Sequence, residues 1–288
     1  EGLSSQSFDE NSLIEIGFTV TDPQNDSISF ELTGIDKDLF TLNFDGLNAL
    51  LTSSEKDYES PEDSDSINVY LVSVNFSDDL NTTSQEIEIT VSNVNDNNPI
   101  ITSESSFTVQ ENQTSIATIT ATDADNDDLN FSLSGTDSGL VEISSSGVLS
   151  FVAAPDYETK NTYSLNVQVT DGINTASQSI TINVTNVNES PIWNITDAVA
   201  FEYQENTSNV EEIDIPEDVY DVDGDNLSFS LTGVDAAVFT ISNNIVSFNG
   251  QPDYENPLDS DQDNIYLLNV LASDGYLTSP SPDISLNI

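Results

Sequence analysis

ATDADNDDLNFSLSG, residues Ala121–Gly135, contains the pattern that organises this 288-residue chain. An acidic turn comes first, and a segment of alternating apolar and polar residues follows, which is typical of a half-buried β-strand. Two further versions are VTDPQNDSISFELTG (Val20–Gly34) and VYDVDGDNLSFSLTG (Val219–Gly233). Because the motif returns roughly every hundred residues, it indicates tandem copies of one domain.

Four other short motifs recur around this stretch, always in the same order. A Glu-Asn pair precedes it, an Asp-Tyr-Glu motif and a later Asp follow it, and an Asn-rich segment ahead of proline separates the copies. The Glu-Asn pairs are Glu10-Asn11, Glu111-Asn112 and Glu205-Asn206, and the Asp-Tyr-Glu motifs are residues 57–59, 156–158 and 253–255. The later acids are Asp78, Asp171 and Asp274, and the Asn-rich segments are NVNDNNP (93–99) and NVNESP (186–191). In the first two copies 12 residues separate the early Glu from the Asp of the turn, and 15 separate the later Asp from the Asn-rich segment.

Short alternating segments rich in Val, Ile, Thr, Phe and Tyr lie between these motifs. Turn clusters separate them at intervals of about ten residues, which predicts β-sandwich domains of roughly seven strands each. The predicted repeats are residues 1–98, 99–190 and 191–288. Proline at each boundary restricts the backbone, so we expect stiff junctions and an extended array. The motif spacing also predicts that the chain is a segment of a longer array.

The composition excludes several classes of function. Acidic residues number 52 against three lysines and arginines, which gives a formal net charge of −49. Such a chain repels phosphate backbones and anionic lipids, so we expect neither nucleic-acid binding nor electrostatic docking to a membrane. The sequence has no run of about 18 apolar residues, so we expect no membrane insertion either. The absence of cysteine and histidine removes disulfides and zinc sites of the usual kind. The acids serve either as a solvated surface or as cation ligands, and composition alone leaves both open.

Together, these motifs on a β pattern resemble the cadherin repeat, especially the cadherin-like repeats of large bacterial surface adhesins. The resemblance covers essentially the whole chain. It implies three tandem immunoglobulin-like Greek-key sandwiches, an all-β fold, and an extracellular or cell-surface location. It also implies Ca²⁺ ions at the junctions between repeats, and oxygen-rich side chains are the ligands that calcium prefers.

The resemblance assigns candidate ligands to both junctions. The first junction would use Glu10, Asp57, Glu59, Asn95 and Asp96 from one repeat with Asp123, Asp125 and Asp171 from the next. The second would use Glu111, Asp156, Glu158, Asn188 and Glu189 with Asp221, Asp223 and Asp274. Backbone carbonyls of Val94 and Asn97 would complete the first site.

Some positions depart from this pattern. Glu189 replaces the usual Asp of the second linker, which is one residue shorter, so an ion there would be weaker or displaced. Gln24 stands where the turn of the first repeat should have its second Asp. Two further groups would be half-sites that lack a neighbouring repeat: Asp22 with Asp78, and Glu205 with Asp253 and Glu255.

Other acids fall outside the assignment. Asp259, Asp261 and Asp263 have the spacing of the start of a calcium loop but lack its central glycine and distant glutamate, so a solvated hairpin tip is favoured over an extra ion site. Asp127 is placed in a solvated loop. Trp193 follows an internal linker, which predicts packing rather than strand exchange.

The functional hypothesis is a calcium-rigidified extracellular adhesion or extender segment of a larger repetitive surface protein. Paired carboxylates serve glycoside hydrolysis in some enzymes, but here they recur in every repeat, so we predict that the chain is not an enzyme. The alternative is direct calcium-dependent recognition of a second cadherin-like repeat or of a polysaccharide. The predicted partners are therefore calcium ions, the flanking repeats, and one of these two ligands.

Overall fold

The computed structural model describes residues 4–24, 26–45, 48–78, 80–195, 197–206, 213–214 and 219–288. Strands dominate these ranges, which contain no α-helix, so the predicted all-β class is confirmed. The chain divides into two compact units: Glu1–Phe107, Ile116–Val152 and Ser164–Thr181 form unit 1, and Thr108–Ser115, Ala153–Tyr163 and Ile182–Ile288 form unit 2. The predicted middle repeat contributes to both units, and the division into repeats at 98/99 and 190/191 stays a prediction.

The first predicted repeat contains two sheets in its described part. Its strands are β1 (Ser4–Asp9), β2 (Ile14–Thr19), β3 (Ser29–Thr33), β4 (Thr41–Phe44), β5 (Asn48–Ser53), β6 (Val69–Ser77) and β7 (Thr82–Ser92). One sheet has the order β1-β7-β6-β3 and the other β2-β5-β4. Strand β1 runs parallel to β7, from Ser4 opposite Ile87 to Asp9 opposite Ser92. Glu10 therefore comes directly after a paired strand, next to the start of the first linker.

The middle repeat has nine strands, of which the first and the fourth are only two residues long. The strands are β8 (Ile100–Ile101), β9 (Ser106–Gln110), β10 (Ser115–Thr118), β11 (Ala121–Thr122), β12 (Asn130–Ser134), β13 (Val141–Ile143), β14 (Val148–Phe151), β15 (Thr162–Thr170) and β16 (Thr175–Thr185). The sheet orders are β12-β15-β16-β9, β10-β14-β13 and β11-β8. The acidic turn of residues 123–128 lies between β11 and β12.

The third repeat completes the pattern. Its strands are β17 (Ile192–Trp193), β18 (Val199–Glu202), β19 (Ile213–Asp214), β20 (Val219–Tyr220), β21 (Ser228–Thr232), β22 (Phe239–Ser242), β23 (Ile245–Phe248), β24 (Ile265–Ser273), β25 (Thr278–Pro280) and β26 (Ile284–Asn287). The sheets are β18-β26-β24-β21 with β25 beside β24, β19-β23-β22, and β17-β20. A 3₁₀ turn follows β3, β12 and β21, at Lys37–Leu39, Ser138–Leu140 and Ala236–Val238.

The apolar residues of the alternating segments form the cores, as their period of two predicts. In β6 the buried positions are Tyr70, Val72 and Val74, and in β24 they begin with Tyr266 and Leu268. The rings of Phe239, Phe248 and Tyr266 pack edge to face with centroids 5.1–6.0 Å apart in the third repeat.

Trp193 packs against the same core. Its ring lies 6.4 Å from that of Phe229, and its indole N–H donates to the Ser279 carbonyl at 3.0 Å. The predicted packing role of Trp193 is confirmed.

Candidate metal centres

Acidic side chains converge within unit 1, where the linker of residues 93–99 meets the turn of residues 123–128. One carboxylate oxygen from each member of a group lies within 4.8 Å of the others: Glu10, Glu59, Asp96 and Asp125. Asp125 also belongs to a second such group, with Asp123 and Asp127. We call these six residues the first cluster.

Glu10, a member of the first cluster, holds two chain segments in place. Its side chain is buried, and its two oxygens accept the backbone N–H of Tyr58 at 2.8 Å and of Val94 at 2.7 Å. The next residue, Asn11, has a φ of 56° and donates its N–H to the Lys56 carbonyl. Asparagine tolerates this left-handed conformation better than most residues, which explains the Glu-Asn pair. The pair thus fastens the Asp-Tyr-Glu turn to the linker.

Asp125 holds the linker from the other side. Its Oδ2 accepts the backbone N–H groups of Asp96 and Asn97 at 3.1 and 2.8 Å. Its Oδ1 accepts the Asn97 amide at 2.9 Å. Loss of hydration raises the pKa of Asp125, but the hydrogen bonds from Asn97 and Asp96 outweigh it and hold the pKa below its usual value. Asp125 is therefore ionised under neutral conditions.

Negative charges crowd the centre of the first cluster. Loss of hydration, followed by the charge of Glu10, raises the pKa of Glu59 from 4.5 to about 7. Loss of hydration and the charges of Glu10 and Asp125 likewise raise the pKa of Asp96. The Asn97 amide nitrogen lies 2.9 Å from Asp96 and 3.3 Å from Glu59, so a weak positive dipole stands between these carboxylates.

Three carboxylate oxygens around the first cluster are buried and have no hydrogen-bond partner. They are Glu59 Oε1, Asp123 Oδ2 and Asp171 Oδ2. An ionised oxygen without a partner is costly when it is removed from water, so such atoms require a counter-charge. The donor set is made of hard oxygens, which fits a hard cation such as Ca²⁺.

A second cluster in unit 2 repeats this arrangement. It comprises Glu111, Glu158 and Glu189, with one carboxylate oxygen of each within 4.8 Å of the others. Glu111 is buried and accepts the N–H groups of Tyr157 and Val187, both at 2.7 Å. These two bonds match those of Glu10.

The second cluster also gathers acids from the repeat that follows it. Asp223 Oδ2 accepts the N–H of Glu189 at 2.8 Å, and Asp274 Oδ2 accepts the Asn188 amide at 2.8 Å. Loss of hydration and the charges of Glu111, Asp223 and Glu189 raise the pKa of Glu158. The buried oxygens without partners here are Glu189 Oε2, Asp221 Oδ2 and Asp223 Oδ1.

Glu189 takes the position that Asp96 has in the first linker. Asn112 donates its amide to Glu189 at 2.7 Å, as Asn11 donates to Asp96 at 2.5 Å. The two residues are therefore equivalent in structure, despite the extra methylene of Glu189 and the shorter second linker.

Residues 105–187 match the family model of the cadherin domain. This matched segment contains Asp123, Asp125 and Asp127 of the first cluster together with Glu111 and Glu158 of the second. Both clusters therefore draw on it.

Comparison with known proteins extends the likeness beyond this matched segment. The chain is 28% identical to human protocadherin Fat 4 over 222 residues, which is 70% of this chain and 4% of that protein. Mouse cadherin-23 EC22–24 has the same fold at 21% identity, with a TM-score of 0.58 over 99% of this chain and 95% of that one. The cis-dimer structure of protocadherin gammaB7 EC3–6 gives a TM-score of 0.56 at 20% identity, over 100% and 72%. The predicted cadherin-like β-sandwich fold is confirmed.

The remaining predicted ligands differ in how free their oxygens are. Asp57 accepts the N–H of Glu59 and adds to the negative potential at Asp96. Asp171 Oδ1 accepts two N–H groups of its own turn, from Ile173 and Asn174, and leaves Oδ2 without a partner.

Two predicted ligands of the cadherin-like pattern use their side-chain oxygens elsewhere. Asn95 Oδ1 accepts the Asn174 amide at 2.9 Å. Both oxygens of Asp156 accept hydrogen bonds from Thr159, one from its N–H and one from its hydroxyl. Both residues stay proposed ligands, but each would have to share or release an existing hydrogen bond to bind an ion.

Asp127 lies close to two predicted ligands. Its placement in a solvated loop outside both sites stays a prediction, but one of its carboxylate oxygens lies within 4.8 Å of those of Asp123 and Asp125. Loss of hydration and the charges of these two residues raise the pKa of Asp127. The signal was available in the sequence, since an acid stands four residues after the first Asp of the turn in all three copies, at Asp26, Asp127 and Asp225.

The two predicted half-sites also bring acids together. Glu205, Asp253 and Glu255 form one group within 4.8 Å, and Asp22 and Asp78 form another with Asp26. Asp26 thus supplies a carboxylate to the group whose turn has Gln24 in place of the second Asp. No helix among the described residues is long and apolar enough to cross a membrane.

Proposed function

We propose that this chain is a calcium-binding, extracellular adhesion segment of a larger repetitive surface protein. One observation carries the proposal: three buried carboxylate oxygens in or beside each cluster have no hydrogen-bond partner, and all six lie at positions assigned as ligands from the sequence. Native proteins satisfy most buried polar atoms, so six such oxygens in two equivalent places indicate ligands for a cation.

Calcium fits these donor sets better than other common ions. It takes six to eight hard oxygens at about 2.3–2.6 Å and tolerates irregular geometry. Magnesium requires a nearly octahedral site and keeps its waters. The chain has only three lysines and arginines, so protein cations are too few to balance the clusters.

The bound ions would link consecutive repeats. Each cluster combines acids that precede a linker with acids that follow it, so an ion shared between them would restrain the linker. A cadherin domain within the chain and its likeness to cadherins support an adhesion role over catalysis. The bacterial origin that the sequence resemblance implies remains a prediction.

Small-angle scattering with and without a chelator tests the proposal. With millimolar calcium we expect a fixed maximum dimension, and with EDTA a broader distribution of distances, because repulsion between unneutralised carboxylates loosens both linkers. Circular dichroism should show that the sandwiches persist in EDTA. An identical distance distribution in both conditions would exclude calcium stiffening.

Homophilic recognition is the second candidate. It is favoured by the similarity to the protocadherin gammaB7 cis-dimer structure. Sedimentation velocity with calcium tests it: a concentration-dependent dimer would support a recognition role, and a monomer at all concentrations would leave the extender role. A glycan array run with and without calcium tests the polysaccharide alternative.

A further inference from the structure

The loop of residues 259–264 has a feature that the clusters above do not explain. It precedes β24 in the third repeat, and its first residue, Asp259, is only 5% exposed. Asp259 Oδ2 accepts the N–H of Asp263 at 2.8 Å, whereas Oδ1 is buried without a partner. The expected solvated hairpin tip is therefore wrong at Asp259, and one of its oxygens still requires a partner.

A second side chain of the loop has an unsatisfied oxygen. Asn264 is 8% exposed and donates its amide to the Tyr254 carbonyl at 3.2 Å, but its Oδ1 is buried without a hydrogen-bond partner. Gln262 and Asn264 have φ values of 64° and 66°. Asn264 is the sixth residue of the loop, where a calcium loop has its glycine, and it adopts the left-handed conformation that this position requires. The missing glycine therefore does not prevent a tight loop.

The other two carboxylates of the loop lie next to Asp259. Loss of hydration, then the charge of Asp263, and then a hydrogen bond from the protonated form of Asp261 to Asp259 and the charge of Asp259 raise the pKa of Asp261, so the three acids share one small region. Hydrogen bonds to the buried Asp235 also fix the loop, because Asp235 accepts the N–H groups of Ser260 and Leu267, each at 2.8 Å. These hydrogen bonds hold the loop in place, and with it the three adjacent carboxylates.

We propose that this loop is an additional divalent-cation site, in which Asp259 Oδ1 and the carboxylates of Asp261 and Asp263 bind an ion of the size of calcium. Asn264 Oδ1 is a further oxygen within the same loop. The site shares no residue with the first or second cluster, so it stands or falls independently of the function proposed above. The ion would neutralise the three acids and give the buried Asp259 oxygen its partner.

The first repeat contains a matched loop that lacks the decisive features. In residues 63–68, Ile67 replaces Asp263, and both oxygens of Asp63 are used, by the N–H groups of Ile67 and Asn68 at 2.9 and 3.2 Å. Asn68 Oδ1 is buried without a partner, as in Asn264. The two loops therefore differ in the third carboxylate and in the free oxygen of the first, and we expect no ion at the first.

Counting bound calcium tests the site. The probe is calcium chloride alone, and equilibrium dialysis of the full chain at saturating calcium gives the number of ions per chain. We expect Asp261→Asn and Asp263→Asn each to lower this number by one. Asp261 is exposed, and an asparagine at 263 keeps an acceptor for the Ile265 N–H, which Asp263 accepts at 2.8 Å, so both variants should fold.

Asp65→Asn is the matched control in the loop of the first repeat, and it should leave the count unchanged. The proposal is overturned if Asp261→Asn and Asp263→Asn retain the wild-type number of ions, or if Asp65→Asn loses an ion as they do.

Discussion

A buried glutamate anchors each acidic cluster, and this limits what its substitution can show. Glu10 and Glu111 each use both oxygens to accept backbone N–H groups of two separate segments. Glu111→Gln would replace one acceptor with a donor that faces an N–H, so it would destabilise the protein even without calcium. Glu59 is the better test, because its Oε1 has no partner to lose.

Glu59→Gln should have opposite effects with and without calcium. In EDTA at pH 8 it removes a charge that Glu10 and Asp125 repel, so the melting temperature should rise. With calcium it removes a ligand, so we expect the affinity of the first cluster to fall by about tenfold or more. Calorimetric melting and calcium titration measure the two effects.

Glu104→Gln is the control for this pair of effects, because it removes the same charge from an exposed position in the same unit. It should change neither quantity measurably, since exposed charges contribute little. Equal responses of the two variants would show that the acids act as a diffuse ionic atmosphere. Asp127→Asn should weaken calcium binding at the first cluster, because its carboxylate lies within 4.8 Å of Asp123 and Asp125.

The raised pKa of Glu59 predicts a pH dependence in chelated protein. A carboxyl whose pKa is higher in the folded state favours folding below its ordinary pKa of 4.5, and this contribution disappears as the pH rises through about 7. The free energy of unfolding in EDTA should therefore fall across this range more steeply for the wild type than for Glu59→Gln. Urea unfolding at several pH values measures the difference, and parallel curves would contradict the prediction.

The turn after the first long strand of each repeat is built in one way throughout the chain. Asn11, Asn112 and Asn206 all have φ near 60°, and their N–H groups donate to the residue before each Asp-Tyr-Glu motif. This turn brings the glutamate beside the motif and the linker. The geometry of the candidate metal centres therefore depends on a short local element as much as on the acids.

Asn112 allows the backbone and side-chain contributions of this turn to be separated. Asn112→Ala should destabilise the protein by about 1–2 kcal/mol, because the left-handed conformation is unfavourable for alanine. Asn112→Gly should recover most of this loss without restoring the hydrogen bond to Glu189. Chemical unfolding in EDTA gives both values, and a glycine variant no more stable than the alanine variant would locate the effect in the amide.

The charge of the whole chain makes its stability depend on cations. A formal net charge of −49 opposes any compact state unless ions reduce it. Two mechanisms are possible, specific binding at the clusters and general screening, and they predict different responses to calcium and magnesium.

Calcium should raise the melting temperature progressively through the millimolar range, where many extracellular calcium modules bind. Each site occupied at 100 times its dissociation constant adds about 2.7 kcal/mol to the free energy of unfolding. Magnesium at equal ionic strength should do much less. Scanning calorimetry compares the two ions, and equal stabilisation would favour screening over specific sites.

The sequence by itself determined the fold class and most members of the candidate sites. Alternation of apolar residues requires strands with one buried face, and motifs repeated in a fixed order must occupy equivalent places in equivalent domains. This is why Glu10 and Glu111, a hundred residues apart, were assigned the same position, and why they make the same two hydrogen bonds.

Only the tertiary structure decided which oxygens are free. Asp156 and Asp171 are both acids of repeated motifs, yet Thr159 occupies both oxygens of Asp156, and Asp171 keeps a buried oxygen without a partner. The tertiary structure also decided that the carboxylate of Asp127 lies beside those of Asp123 and Asp125, and that Asp259 is buried. Hydrogen-bond partners and burial depend on neighbours from distant parts of the chain, so a local motif specifies the chemical group but not whether that group is available to a ligand.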